Sequence, residues 1–293
     1  KGGEPAVRLE IASSVWLRQD FTFHAAFVKN LGNSYQAEAT SLDFGNPGSL
    51  DRINAWANEK THGRIPKAAP EAFRPLDILL LINAVYFKGG WEREFKKADT
   101  RNEDFTLPDG KKKSLPFMRR TASFDLLETE GIQAIRIPYG ELKRVALYVF
   151  LPAEGRPLLE LHKQLASRWS GWKSMFGSQQ VELLLPRFRL DLDVDLRDAL
   201  LALGMKSAFA PGADFSGISP KGPELYISEV RQKTLLEVNE EGTEAAAATT
   251  VRVAARAVEQ RARVFRVDRP FFCAIVDDTT GAFLFTGSIV EPK

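Results

Sequence analysis

The side chains of this sequence that could do metal or acid–base chemistry are its histidines, its paired carboxylates and its one cysteine. His24, His62 and His162 lie far apart, and none has a partner at a metal-ligand spacing such as H-x-x-x-H. Asp277-Asp278 falls in a turn pattern, where aspartate is expected for backbone reasons. Cys273 stands in the apolar run F-F-C-A-I-V, so we expect a buried structural thiol. These residue types predict neither a metal site nor a catalytic centre.

The sequence also lacks the short motifs that mark common catalytic and cofactor sites. It contains no G-x-S-x-G nucleophile elbow, no phosphate-binding P-loop and no G-x-G-x-x-G dinucleotide fingerprint. We therefore predict a protein that is not an enzyme and that needs no cofactor and no metal.

The most informative stretch runs from Glu240 to Arg256, E-E-G-T-E-A-A-A-A-T-T-V-R-V-A-A-R. Its four consecutive alanines favour a helix by propensity. With a period of two from Thr243 to Arg256, however, one face carries only small or β-branched residues, and all the charges of these residues fall on the other face. This pattern is typical of a strand with one buried face, and small side chains let a strand enter a tight gap. Two interpretations stay open and nearly even: a mobile loop that can become a strand, and an alanine-rich linker.

Length and composition indicate an ordinary globular chain. It has 293 residues, of which 44% are hydrophobic and 27% charged, with a net charge of +2. The small net charge argues against nucleic-acid binding, and the longest basic run is Lys111-Lys112-Lys113. No stretch reaches the roughly 18 apolar residues of a membrane span. A single cysteine excludes an internal disulfide. We expect no membrane or nucleic-acid partner. A lone cysteine suits either side of a membrane, and our expectation of a monomeric, extracellular protein does not follow from composition.

The elements that must position these residues alternate between strand and helix patterns, which predicts a mixed α+β domain richer in strands. Residues 77–87 form a nearly continuous apolar run, which predicts a central strand covered on both faces. We find no internal repeat and no linker that would divide the chain. Further strands are predicted at residues 7–17, 37–44, 124–129, 134–139, 145–152, 181–190 and 227–238, and helices at 21–31, 50–60, 158–175 and 196–205.

Four stretches together resemble the serpins, the serine-protease-inhibitor superfamily. They are N-A-V-Y-F-K-G-G-W (83–91), E-V-N-E-E-G-T-E-A-A-A-A-T (237–249), D-R-P-F-F (268–272) and F-T-G-S-I-V-E-P (285–292). The resemblance covers the chain from about residue 7 to its end. It implies one serpin domain over residues 1–293, with a reactive-centre loop at about 240–264. Because the family's N-terminal helices and first strand have no counterpart here, we expect this chain to be part of a longer protein.

The resemblance implies an α+β fold of three β-sheets, surrounding helices and an exposed reactive-centre loop. It also implies a suicide-substrate mechanism, in which a trypsin-like serine protease attacks the loop and forms an acyl-enzyme through its own serine. The cleaved loop then inserts as a strand into the central sheet, which traps the protease in a covalent complex. The fold must therefore be metastable.

The hinge of that loop keeps small residues, as inhibitory members of the family do. A bulky or charged residue there would slow insertion, so this composition favours an inhibitor over a non-inhibitory serpin whose loop is only cleaved. The resemblance assigns the following residues to the hinge: Glu240, Gly242, Thr243, Glu244, Ala245, Ala246, Ala247 and Ala248.

The family's spacing places the scissile bond after the fourteenth residue beyond Gly242, between Arg256 and Ala257. An arginine there would fit the acidic specificity pocket of trypsin-like proteases. Alternatively, the arginines only solvate an exposed loop. The rivals Arg252, Arg261 and Arg263 stay open, because the loop before Arg269-Pro270 is a few residues longer than the family's usual spacing.

Four further positions carry over from the resemblance. Trp91 matches the tryptophan under the top of the central sheet, where the loop first enters. Arg187 matches a basic position that pairs with Glu240, a contact worth only about 0–1 kcal/mol at a surface. Asn83 matches a polar site midway down the sheet, and Gln232 stands opposite it where most serpins have histidine. A glutamine can still donate and accept hydrogen bonds but does not change charge near neutral pH.

Overall fold

The computed structural model describes residues 7–227, 230–243 and 262–293, and in these ranges it confirms the α+β class. The helices are α1 Ala25–Tyr35, α2 Gly48–Lys60, α3 Leu158–Lys173 and α4 Arg197–Ala202, with short 3-10 helices at Lys97–Asp99, Ser207–Phe209 and Gly222–Glu224. The strands are β1 Val7–Arg18, β2 Glu38–Leu42, β3 Leu79–Gly90, β4 Arg101–Thr106, β5 Lys112–Thr129, β6 Ile132–Tyr139, β7 Val145–Pro152, β8 Gly177–Pro186, β9 Phe188–Asp195, β10 Arg231–Val238, β11 Gly242–Thr243, β12 Arg263–Arg266, β13 Phe271–Asp277 and β14 Phe283–Ile289.

The first sheet has the strand order β2-β1-β3-β10-β9, and β11 pairs with β3 beside this path. The central position of β3 was predicted from its apolar run and is confirmed, although Leu81 remains 45% exposed. Strand β10 runs parallel to β3, with Gln232 opposite Asn83 and Thr234 opposite Val85.

The second sheet has the order β12-β8-β5-β6-β7-β13-β14, with β4 paired to β5. Strand β5 is 18 residues long and pairs with β8 over Phe117–Leu126 and with β6 over Asp125–Thr129. The resemblance implies three sheets. By hydrogen-bond pairing the described strands fall into two connected groups, because the long strand β5 pairs with β4 and β8 along its first part and with β6 at its end.

By residue contacts the chain divides into two compact units, each with its own core. One contains Phe87–Leu190 and Leu236–Lys293, and the other contains Leu9–Tyr86 and Asp191–Leu235. In the second unit α2 buries Ile53 and Trp56, and the indoles of Trp16 and Trp56 meet edge to face at 6.0 Å. Apolar residues three and four positions apart put these side chains on one face of the helix, which therefore packs on the sheet.

The core of the first unit packs α3 against β6, β7 and β13. Leu161, Leu165 and Trp172 of the helix meet Phe150 and other apolar strand residues. Cys273 of β13 is 1% exposed, and burial raises the pKa of its thiol to about 12. The predicted buried thiol is thus confirmed.

One predicted strand, residues 181–190, is wrong as a single element. Strand β8 ends at Pro186 and β9 begins at Phe188, because the chain changes sheets at Arg187. The backbone N–H of Arg187 donates to the Pro116 carbonyl at 2.9 Å. Apolar residues continue on both sides of the break, with Leu183–Leu185 before it and Phe188 and Leu190 after it, so the sequence pattern alone did not reveal it.

Candidate functional site

The candidate site is built around a tight reversal of the chain after β10, the hinge turn Asn239–Gly242. Asn239 and Gly242 exchange backbone hydrogen bonds of 2.9 and 3.2 Å across the turn. The Asn239 side-chain oxygen accepts a bond from the Glu241 N–H at 3.0 Å. The backbone φ of Gly242 is +142°, and a β-carbon there would lie 2.1 Å from the Gly89 carbonyl oxygen. Only glycine therefore fits this position.

Beyond the hinge turn, the chain begins a new strand on β3. Gly242 pairs with Gly90 and Thr243 with Gly89, both antiparallel. Thr243 is 1% exposed, and its hydroxyl lies 2.7 Å from the Tyr139 hydroxyl. Full burial raises the pKa of Tyr139, so this phenol stays neutral and able to donate.

Trp91 forms the wall of the site next to the turn. It is 5% exposed and stacks on Tyr139 with ring centroids 4.5 Å apart and planes at 10°. Its indole N–H donates to the Asn239 carbonyl at 2.8 Å, and its backbone N–H donates to the Glu241 carbonyl at 3.1 Å. The residue that the resemblance places at loop entry thus contacts both sides of the hinge turn.

Glu240 points its carboxylate into the protein. It is 2% exposed and accepts 2.8 and 2.5 Å bonds from Arg187 Nε and the Thr100 hydroxyl, with Arg187 Nη2 as a further donor. Burial disfavours its ionised form, but the bonds from Arg187 and Thr100 outweigh burial and lower its pKa. The predicted Arg187–Glu240 contact is present, and the carboxylate is far more buried than a surface pair. The Glu240 carbonyl also accepts the Phe95 N–H at 2.8 Å.

Glu241 has its own ionic partner. Lys97 Nζ donates to its carboxylate at 2.7 Å, and this bond raises the pKa of Lys97. Both acidic side chains of the hinge turn are therefore held by cations of other elements.

Asn83 and Gln232 lie in the other compact unit, opposite each other on β3 and β10. The Asn83 amide donates to the Ser13 hydroxyl on β1 at 3.1 Å. The Gln232 amide donates to the Thr234 hydroxyl at 3.3 Å. Asn83 therefore links β3 to β1, while Gln232 bonds within its own strand.

Seven predicted residues of the hinge and the reactive bond are not among those that the structure describes. They are Glu244, Ala245, Ala246, Ala247, Ala248, Arg256 and Ala257.

Two of the three histidines bond to unrelated groups, His62 Nε2 to Glu10 at 2.8 Å and His162 Nε2 to the Ser288 hydroxyl at 2.9 Å. In the part of the chain that the structure describes, no cluster of His, Cys, Asp or Glu could hold a metal ion. Within the same ranges no helix is both long and apolar enough to cross a membrane.

Sequence reasoning missed Tyr139, Thr100 and Lys97, which all contact the hinge residues. One signal was available for their neighbourhood: Gly89-Gly90 within a strand pattern often marks the close approach of another backbone. A β-carbon at Gly89 would lie 2.9 Å from ring atoms of Phe87 and Tyr139.

Comparisons with known proteins agree with this architecture. A sequence model of the serpin (serine protease inhibitor) family matches residues 2–292. An uncharacterized serpin-like protein of Thermococcus kodakarensis is 38% identical over 99% of this chain and 68% of its own length. For neuroserpin of Gallus gallus the identity is 32%, over 97% of this chain and 72% of that protein. The crystal structure of the thermophilic serpin tengpin in its native state superposes with a TM-score of 0.87 at 30% identity, covering 99% of this chain and 75% of tengpin. The chain therefore belongs to the serpin family of serine protease inhibitors.

Proposed function

We propose that this chain is a suicide-substrate inhibitor of trypsin-like serine proteases. The protease serine attacks the carbonyl carbon of Arg256, the peptide bond to Ala257 breaks, and Ala257 leaves with a free amine. The upstream part of the loop then inserts beside β3 before water can hydrolyse the acyl ester. We assign the class of target protease from Arg256. Its guanidinium would form a charge-assisted contact with the aspartate of a trypsin-like specificity pocket.

The observation that carries this proposal is the start of β11. Gly242 lies between Asn239, after β10, and Gly90, at the end of β3, and Thr243 is already buried. A strand continuing from Thr243 to Arg256 would extend roughly 45 Å at about 3.3 Å per residue. Insertion would thus carry an acyl-enzyme across a distance of domain scale. The extracellular location and the monomeric state stay predictions.

The test is an equimolar reaction with trypsin, followed on a denaturing gel and by mass spectrometry. We expect a band at the combined mass that survives denaturation, together with a released peptide that begins at Ala257. Trypsin blocked at its active-site serine is the control and should give no such band.

Two single substitutions locate the reactive bond. Arg256→Ala should abolish the complex with trypsin, whereas Arg252→Ala, the matched change at a rival arginine, should leave it intact. Cleavage after Arg256 without a complex would mean that the loop is only a substrate, as in a non-inhibitory serpin. Complex formation that depends on Arg252, Arg261 or Arg263 instead would refute the assignment of Arg256.

A further inference from the structure

A cleft of about 560 Å³ opens beside the hinge turn. Glu240 and Glu241 of the turn form part of its wall, together with Lys97 and the segment Arg187–Arg189. Small-molecule sites in proteins commonly have volumes of about 300–1,000 Å³. The cleft is therefore large enough for a small organic ligand, and it lies against the contacts that hold the turn.

The cleft presents positive charge to solvent. Its charged lining consists of four cations, Lys97, Arg187, Arg189 and Lys293, and three carboxylates, Glu237, Glu240 and Glu241. The side chains of Lys97 and Arg187 are 70% and 42% exposed, whereas their carboxylate partners Glu241 and Glu240 are 23% and 2% exposed. Because the cations face outward more than the carboxylates do, an entering anion meets positive charge first.

Apolar side chains complete the wall. Leu115, Pro116, Phe188 and Val238 line the cleft among its charged groups, although Phe188 and Val238 are each 1% exposed and Leu115 is 7% exposed. We infer that this cleft binds a small organic anion, a carboxylate or sulfonate on an apolar body. The anionic group lies between Lys97 and Arg187, and the apolar body lies over Leu115 and Pro116.

Such a ligand would act on the hinge turn through shared cations. Lys97 and Arg187 hold Glu241 and Glu240, so an anion that takes up part of their hydrogen-bonding capacity weakens their hold on the turn. The effect on loop insertion rests on the proposed function, but binding itself does not.

The binding test is isothermal titration calorimetry with 4-methylbenzenesulfonate as the probe and no protease present. We expect one site per chain. The neutral analogue 4-methylbenzenesulfonamide and inorganic sulfate should each bind at least about tenfold more weakly, since one lacks the charge and the other the apolar body. If either compound binds as tightly as the probe, the inference is overturned. It is also overturned if the probe does not bind.

Two neighbouring lysines provide matched variants. Lys97→Gln should lower the affinity for the probe about tenfold, because it removes one charge-assisted contact. Lys96→Gln removes the same charge from an exposed residue that does not line the cleft and should leave affinity unchanged. An unchanged affinity in Lys97→Gln, or an equal loss in both variants, would overturn the assignment. Because no protease is present, these results are independent of whether the chain inhibits one.

Discussion

At the scale of single residues, Glu240 links three parts of the chain through one buried carboxylate. Its partners are Arg187, between β8 and β9, and Thr100, just before β4. A buried carboxylate is stable only when its hydrogen bonds are satisfied, so these two residues help to hold the turn in place.

The lowered pKa of Glu240 predicts how stability depends on pH. Its ionised form is favoured by folding, so its contribution is fully present above the unfolded value near 4.5 and is lost as the pH falls through the folded pKa. Glu240→Gln should lower stability by about 1.5–3 kcal/mol at pH 7, the usual range for hydrogen bonds to a charged group. The difference from the unchanged protein should shrink below pH 4.5. Denaturant unfolding at pH 7 and pH 3.5 measures both effects.

Glu237→Gln is the control for this prediction, because it makes the same chemical change three residues earlier on β10. It should produce a smaller loss at pH 7. If Glu240→Gln and Glu237→Gln behave alike at both pH values, the bonds from Arg187 and Thr100 do not stabilise the fold.

At the scale of elements, the hinge turn joins two strands of opposite direction. Strand β10 is parallel to β3, and β11 is antiparallel to it. Such a reversal over four residues brings two backbones very close. This approach explains the glycine at 242, where a β-carbon would meet the backbone of Gly89 and Gly90 on the facing strand.

Gly242→Ala should therefore destabilise the protein more than a glycine substitution that strains the backbone alone. Gly110 is the matched control, because its φ is +82° but a β-carbon there would meet no atom within 4 Å. We expect Gly110→Ala to cost about 1 kcal/mol. Gly242→Ala should cost about 3 kcal/mol or more, because overpacking against the Gly89 carbonyl adds to the strain.

Thermal unfolding and hydrogen exchange measure this difference. The Thr243 amide should exchange faster in Gly242→Ala and at an unchanged rate in Gly110→Ala. Equal behaviour of the two variants would show that the close contact with β3 does not hold the turn.

At the scale of the whole molecule, the proposed function requires that loop cleavage release stored free energy. The unfolding temperature of the cleaved protein should be more than about 10 °C higher than that of the intact protein. Several kcal/mol of added stability produce a shift of this size in a chain of this length. Thr243→Arg should abolish this rise and leave only cleavage by trypsin, because it would bury a charge beside Tyr139.

Thr243→Ser keeps the hydroxyl that meets Tyr139 and should retain both the rise and the trapped complex. Calorimetry before and after cleavage, with gels of the trypsin reaction, checks all three proteins. A full rise in cleaved Thr243→Arg would contradict the proposed entry of the loop at this residue.

Local patterns in the sequence predicted most of the elements and several residues of the site. Alternation and apolar runs identified β1, β3 and β7, and helical spacing identified α2 and α3, because side-chain periodicity follows backbone conformation. The helix predicted at residues 21–31 lies at 25–35, a shift typical of helix boundaries, which depend on capping contacts more than on periodicity. Family motifs marked Trp91, Arg187, Glu240 and Gly242.

The sequence by itself thus determined the fold class, the family and the small-residue pattern of the loop. Only the tertiary structure decided which further groups hold the hinge. Thr243 meets Tyr139 from 104 positions away, and Glu240 and Glu241 meet Thr100 and Lys97 from 140 and 144 positions away. Strand order and register bring these pairs together. A residue's local pattern tells which face it occupies, but it does not encode which distant strand will lie opposite that face.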